Sequence, residues 1–310
     1  MPSADYAIRL LASARSDRGR ARQNNEDSVH LKHHELLLLA VVADGMGGAV
    51  AGEEASRIAV ETIHEHLPID DHYETLLKLN REDLLDQLVD GVRQANRNIL
   101  QHARKNPEVR GMGTTLTMAL ANGHDVVIAH VGDSRAYLID KHDESIIQLT
   151  QDHSFVQALV MAGHITNEEA EFHPMKHVLY RALGQSEDLE VDLLSGVYLN
   201  VGDRLVLCSD GLTLHVKPDE ICQAALASDD PQVITASLVD LANSRGGKDN
   251  ISILAIVAVA GETLPNLSED DQSTSFSQED EDPTIPLNFR YVQHYPQRSV
   301  PSIPPATWQG

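Results

Sequence analysis

The chain of 310 residues is poor in cysteine: it has two, Cys208 and Cys222. Both lie in apolar surroundings, which reads as plain core thiols in a reduced compartment and excludes a disulfide framework. No Cys/His group has the spacing of a zinc site. No apolar run approaches the roughly 20 residues needed to span a bilayer. "ELLLLAVVA", Glu35 to Ala43, is about half that length and reads as a buried strand. The first twenty residues contain arginines and a short apolar patch but no long apolar stretch, so no signal peptide is expected. Positive charge is also scarce. Lys and Arg number 24 against 47 Asp and Glu, and the formal net charge is -23. That argues against nucleic acid and membrane surfaces as partners. It suits divalent cations and basic or neutral protein surfaces. The expected location is cytoplasmic.

Other signatures are missing too. There is no repeat at solenoid periods, no Rossmann glycine spacing with regular βαβ alternation, and no EF-hand loop pattern. Two domains are expected, 1–260 and 261–310. Up to Ala260 apolar runs recur with regular punctuation. From residue 261 the chain carries Ser, Asp, Glu and Pro, an acidic run "SEDDQSTSFSQEDEDP" and the sole tryptophan, Trp308. Such a composition cannot bury enough apolar surface to offset the entropy of ordering, so a disordered acidic, proline-rich tail is expected.

Within 1–260, strands are expected at Glu35–Ala43, Gly113–Ala121, His124–Gly132, Arg135–Asp140, Ser145–Leu149, Asp203–Gly211 and Asn250–Val259. Asn122-Gly123 is a hairpin signal. Helices are expected at Gly52–His66, at Thr75–Lys105 as one or two, at Asp152–Gly163, Asn167–His173, Pro218–Ala227 and Pro231–Arg245. Strands joined by short turns, with helices grouped between them, indicate an α+β layered domain.

Four apolar strands meet an aspartate at or near one end. "VVADG" delivers Asp44, "AHVGDS" Asp133, "VLCSDG" Asp210, and "GGKDN" places Asp249 just before the last strand. One such residue is an ordinary turn aspartate. If the four strand ends converge, the carboxylates cannot all stay ionised without a counter-charge. Oxygen donors without thiolates or a histidine cluster select hard cations, Mg²⁺ or Mn²⁺, with two ions activating a water between them. "RARQNNEDS" adds Arg22, upstream of Glu26 and Asp27. A guanidinium fork suits a phosphate ester better than lysine does. Asp152 reads as a helix cap, Ser134 and Ser209 as turn residues, and His153, His164, His173 and His177 as surface polar residues of a flap.

"RQNNEDS", "VVADGMGGAVAGEEAS", "GMGTTLTMAL", "AHVGDSRAYL", "LTQDHS", "LVLCSDGLT" and "GGKDNISILAI" stand in the order seen in the metal-dependent serine/threonine protein phosphatases, the PPM or type 2C family. The chain resembles the bacterial branch most, over about residues 5–260. The resemblance implies a four-layer sandwich, two antiparallel β-sheets flanked by α-helices. It implies hydrolysis of phosphoserine and phosphothreonine in proteins by a metal-activated water, opposing Hanks-type kinases. Asp44 would bridge two ions, the Gly45 carbonyl would bind one of them, and Asp210 and Asp249 would complete the other. Asp133 with Asp210 would hold a third, weaker ion. Arg22 would clamp the phosphate, and Asp27, with Glu26 nearby, would orient metal-bound water. Met46 stands where eukaryotic members often carry a histidine acid. The partners implied are phosphorylated proteins, namely Ser/Thr kinases and their substrates, met by a monomer. The competing reading is a phosphatase fold that keeps its metals and serves as a regulatory scaffold or phosphoprotein sensor without catalysis.

Overall fold

The computed structural model describes residues 8–261. The tail expected over 261–310 lies outside the described residues beyond its first position. Two antiparallel sheets pack face to face. One has the order β2 (Asp27–His34), β3 (Leu37–Met46), β5 (Leu116–Asn122), β6 (Asp125–Val131), β9 (Asp192–Tyr198), with the two-residue β4 (Gly113–Thr114) on the end of β3. The other has the order β1 (Ile8–Asp17), β11 (Ile251–Ala260), β10 (Arg204–Cys208), β7 (Arg135–Asp140), β8 (Ser145–Gln148). Helices α1 (Ala49–His66), α2 (Ile69–Lys78) and α3 (Arg81–Lys105) cover the first sheet. Helices α7 (Pro218–Leu226) and α8 (Pro231–Ser244) cover the second. The short α4 (Phe155–Met161) and α5 (Asn167–Glu171) lie in the flap, and α6 (Asp210–Thr213) follows β10.

The continuous apolar run in β3 follows from burial on both faces. Leu39, Val41 and Ala43 join the cluster under the helices. Leu38, Ala40 and Val42 join the cluster between the sheets. Strand side chains alternate faces, so a strand inside a four-layer stack must be apolar at every position. In the second sheet Leu205 and Leu207 face inward while Val206 and Cys208 face the outer helices. Both cysteines are free and buried, as core thiols should be.

Three strands go beyond the sequence expectation: β1, β2 and β9. All three are sheet edges. An edge strand is buried on less of its surface, so its sequence lacks the apolar run of a central strand. Pairing with distant β11, residue by residue from Ile8–Ala260 to Asp17–Ile251, is what holds β1. The expected helix at Gly52 begins earlier, at Ala49, with Gly48 as its cap position and Gly52 N–H donating to the Gly48 carbonyl at 2.8 Å. The long helical region is two helices, because the Asn80 side chain accepts from Asp83 N–H and starts α3 afresh.

The flap differs from expectation in two places. Asp152 does not cap a helix; it pairs with Arg135 through two bonds of 2.8 and 2.7 Å, and Ser154 caps α4 instead. His153 is not a surface residue; it is 1% exposed. Among the described residues no helix is long and apolar enough to cross a membrane.

Candidate metal centre

The edges of both sheets nearest Asp44 deliver the acidic residues to one place. Asp44 lies near the end of β3, directly opposite Asp27 at the start of β2. Its main chain is fixed on both sides. Its N–H donates to Thr115 Oγ1 at 2.9 Å, and its carbonyl accepts from Thr115 N–H and Thr114 Oγ1, both at 2.9 Å. The Thr115 hydroxyl, used as an acceptor by Asp44, lies 2.7 Å from Ser134 Oγ and ties the Asp133 loop to the Asp44 turn. From the second sheet, β10 ends at Cys208 and Asp210 opens α6. Asp249 precedes β11 in the 246–250 loop.

Two glycines are required here by close approach, not by an unusual φ. A Cβ at Gly45 would collide with the Gly52 carbonyl, and one at Gly211 with the Asn250 carbonyl. Gly45 N–H also donates to the Glu26 carbonyl at 3.1 Å, which the Ser56 hydroxyl shares at 2.6 Å.

The arginine loop is folded onto the same end. Arg20 and Ala21 N–H both donate to the Gly247 carbonyl, at 2.7 and 3.1 Å. Asn250 organises the rest: its Nδ2 donates to the carbonyls of Arg18 and Asn24, each at 2.9 Å, and its Oδ1 accepts from Glu26 N–H at 2.8 Å. Arg22 then reaches Asp249, Nη2 to Oδ2, at 2.8 Å, and stands 3.7 Å from Glu26. Its side chain remains 47% exposed, which leaves guanidinium N–H groups facing outward.

The electrostatics state what is missing. Burial, and then the charges of Asp27, Asp210, Asp133 and Asp249, push the Asp44 carboxyl well above its ordinary range. Burial and the Asp210 charge do the same to Asp133, against the opposing Arg135. Burial raises Asp210 to about 6, with Asp249 adding to it. Asp27 is raised to about 7, chiefly by burial, despite hydroxyl bonds from Ser252 and Ser209. Its Oδ2 accepts from Ser209 Oγ at 2.7 Å, while Oδ1 is buried with no partner. Crowded carboxylates and an orphaned oxygen call for cationic charge. Among the described residues no three carboxylate, imidazole or thiol groups make a ready cation cage. The donors present are carboxylate and carbonyl oxygens, which suit hard divalent ions of the Mg²⁺ and Mn²⁺ kind with water completing the shell.

Sequence reading found the acidic residues and Arg22, and the structure brings Arg22, Glu26, Asp27, Asp44, Asp133, Asp210 and Asp249 together. It missed the supports: Thr115, Asn250, and Ser209 and Ser252 on Asp27. Thr115 and Asn250 stood only as "GTT" and "DN" within motifs already noted, and Ser209 was read as a turn residue without its bond to Asp27. His177, read as a surface residue, is exposed but lies 4.0 Å from Asp210 Oδ2 at the rim of the centre. His164 and His173 take no part.

The family model for "Protein phosphatase 2C" matches residues 17–243. The chain is 39% identical over 248 residues to the serine/threonine phosphatase stp of Listeria monocytogenes, covering 80% of this chain and 95% of that protein. It is 39% identical over 275 residues to the serine/threonine protein phosphatase PstP of Mycobacterium tuberculosis, covering 86% of this chain and half of that protein. The crystal structure of the M. tuberculosis phosphatase superposes with a TM-score of 0.71 at 38% identity, over 80% of this chain and 98% of that one. The PstP catalytic domain, solved with two manganese ions, gives a TM-score of 0.68 at 36% identity, over 81% and 99%.

Proposed function

The chain belongs to the protein phosphatase 2C family and is a metal-dependent serine/threonine protein phosphatase, and from that premise we propose which residues do the work and against what. Asp44, the Gly45 carbonyl, Asp210 and Asp249 hold two Mn²⁺ or Mg²⁺ ions, and Asp133 with Asp210 holds a third, weaker one. Bound there, the ions supply Lewis acidity and an activated water as nucleophile. The observation that supports this reading is the gathering of five carboxylates from both sheets, Asp27 included, close enough to raise one another, with Arg22 at their edge.

The chain's own residues have separate tasks. Arg22 clamps the substrate phosphate with its outward N–H groups while Asp249 holds it in place at 2.8 Å. Asp27, fixed by the Ser209 hydroxyl and with its buried Oδ1 unpartnered, orients water at the centre, with Glu26 beside it. Thr115 sets the Asp44 main chain and, through Ser134, the spacing to Asp133. The substrates are phosphorylated Ser/Thr kinases and the proteins they modify, in the cytoplasm, and the enzyme acts as a monomer. The domain up to about residue 260 carries the activity, and the tail beyond it is dispensable for hydrolysis.

The test is hydrolysis of para-nitrophenyl phosphate and of a phosphothreonine peptide by the full chain and by a chain ended after Ala260. Excess chelator is expected to abolish both reactions and Mn²⁺ to restore them, equally in the two proteins. Undiminished hydrolysis in chelator would overturn the reading; loss in the shortened chain alone would move the domain boundary.

A further inference from the structure

The metal centre uses only one of the arginines that crowd the start of the chain. Residues 18–22, "RGRAR", and 245–248, "RGGK", hold five cations and no carboxylate, in a chain whose net charge is -23. The structure packs these two segments main chain to main chain. Arg20 and Ala21 N–H both donate to the Gly247 carbonyl. Gly19, at φ +78, lies so close that a Cβ there would collide with the carbonyls of Asp249 and Gly247. Gly247 N–H donates to the Ala242 carbonyl at 3.1 Å, in the last turn of α8. Lys248 N–H donates to His215 Nε2 at 3.0 Å. Main chain held on this many sides gives the side chains it carries fixed points of departure.

The five cations are not equally engaged. Arg245 gives both guanidinium arms to Glu220, at 2.7 and 2.5 Å, and Nη1 also to the His215 carbonyl at 2.8 Å. Arg22 is committed to Asp249 and to the centre. Arg18 Nη1 donates to the Gln23 carbonyl at 3.2 Å, a partner that leaves its charge uncancelled. Arg18, Arg20 and Lys248 are exposed, and among the described residues no ion pair holds any of the three. Asp17, which feels the Arg20 charge, has its Oδ1 taken by Gly19 N–H at 2.8 Å and Asn243 Nδ2 at 3.1 Å. A surplus of positive charge therefore faces solvent on a strongly acidic protein. Its place is telling: Arg20 stands two residues before Arg22, and Lys248 one before Asp249. At about 3.3 Å per extended residue, a peptide whose phosphate sits on Arg22 brings side chains about two to four positions away over these cations.

We propose that Arg18, Arg20 and Lys248 form a docking surface for the acidic flank of a phosphoprotein substrate, so that the enzyme selects phosphoresidues with Asp or Glu about two to four positions away. The inference rests on the reading of Arg22 as the phosphate clamp. Elsewhere the negative surface repels such a segment, and a local patch of opposite sign both attracts it and sets its register. Exposed ion pairs are individually weak and are screened by salt. The patch therefore acts on substrate binding, and the reacting bond does not feel it.

The test is steady-state hydrolysis, by the full chain with Mn²⁺, of two phosphothreonine peptides. One carries Glu at the second to fourth positions on both sides, the other Gln in the same places. At low salt the Glu peptide is expected to show a KM about fivefold lower with the same kcat, the size of two exposed ion pairs, and the advantage should fade as NaCl is raised. Arg20→Ala combined with Lys248→Ala keeps both main-chain N–H bonds. It should abolish the advantage while leaving the KM of the Gln peptide and the hydrolysis of para-nitrophenyl phosphate unchanged. Arg20→Lys with Lys248→Arg should keep the advantage, and Arg20→Glu with Lys248→Glu should reverse it. Equal KM values for the two peptides in the wild type, an advantage indifferent to salt, or one that survives the double alanine variant would overturn the inference. Loss of para-nitrophenyl phosphate hydrolysis in that variant would overturn it too, since the loop and not docking would have changed. Arg22→Ala should raise KM for both peptides alike. An unchanged KM for both would remove the clamp and the inference with it, whereas an intact clamp with indistinguishable peptides removes the inference alone.

Discussion

The same two letters, Asp-Gly, end two strands, and the structure uses them differently. In the first sheet Asp44 stays within β3, which runs on to Met46 and pairs with β4. In the second, β10 stops at Cys208 and Asp210 opens the one-turn α6. What they share is a glycine pressed against a carbonyl from another segment, Gly52 for one and Asn250 for the other. The motif thus marks a place where two backbones must nearly touch beside a carboxylate. The third corner, Asp133, is built on another plan. It has no following glycine and leans on hydroxyls and on two buried histidines in tilted contact, His130 and His153.

The comparison breaks hardest at the carboxylates. Asp44→Ala and Asp210→Ala should each lower kcat by several orders of magnitude, since both are proposed to touch the ions directly. Asp133→Ala should keep slower turnover. Steady-state rates at saturating Mn²⁺ check the ranking, and near wild-type turnover in Asp44→Ala would refute the two-sheet centre.

Acid should find the third corner. Burial holds the His130 imidazole down to about 4, below its ordinary 6.5. Between those values the unfolded chain binds the proton that the folded chain refuses. The stabilisation is therefore complete above about pH 6.5 and is lost as pH falls toward 4, on the order of 3 kcal/mol for a fully buried ring. Protonation of the raised Asp27, Asp44, Asp133 and Asp210 carboxyls favours the fold over the same range. The His130 loss is therefore read from thermal unfolding at pH 7 and pH 4 as a difference: His130→Gln should fare better on acidification than the wild type by about that amount. An equal change in the variant would assign the acid sensitivity elsewhere.

The paired glycines sharpen the likeness between the two Asp-Gly turns. Gly45→Ala and Gly211→Ala should each cost about 1–3 kcal/mol, because the new methyl group meets main chain that cannot step aside. Chemical denaturation measures both. If one is tolerated and the other is not, the common plan is wrong.

The smallest effect is expected at the exposed edge. Arg22→Ala should raise KM for a phosphopeptide about tenfold with a lesser change in kcat, provided the clamp is equal in ground and transition states. Lysine should restore part of it, lacking the planar fork. An unchanged KM would make Arg22 only the partner of Asp249.

Much of this was legible in the chain. The central strands announced themselves because burial on two faces leaves no room for polar residues, as in β3. The acidic corners did so because an aspartate at the end of such a strand needs a reason. The edge strands β1, β2 and β9 were silent, since their pairing partners are far away in sequence and their exposure dilutes the pattern. His153 was misread for a related cause: a lone histidine in a polar segment looks like surface until the partner on Gly132 is known, and that partner is 21 residues away. Asp152 looked like a cap because nothing in "QDHS" shows that Arg135 lies opposite.

The most direct test of the central claim is diffraction from Mn²⁺-soaked crystals of the full chain at the manganese edge. The account predicts anomalous peaks enclosed by Asp44, the Gly45 carbonyl, Asp210 and Asp249, with a weaker one beside Asp133. Peaks confined to other surfaces, with those carboxylates empty of metal, would contradict it.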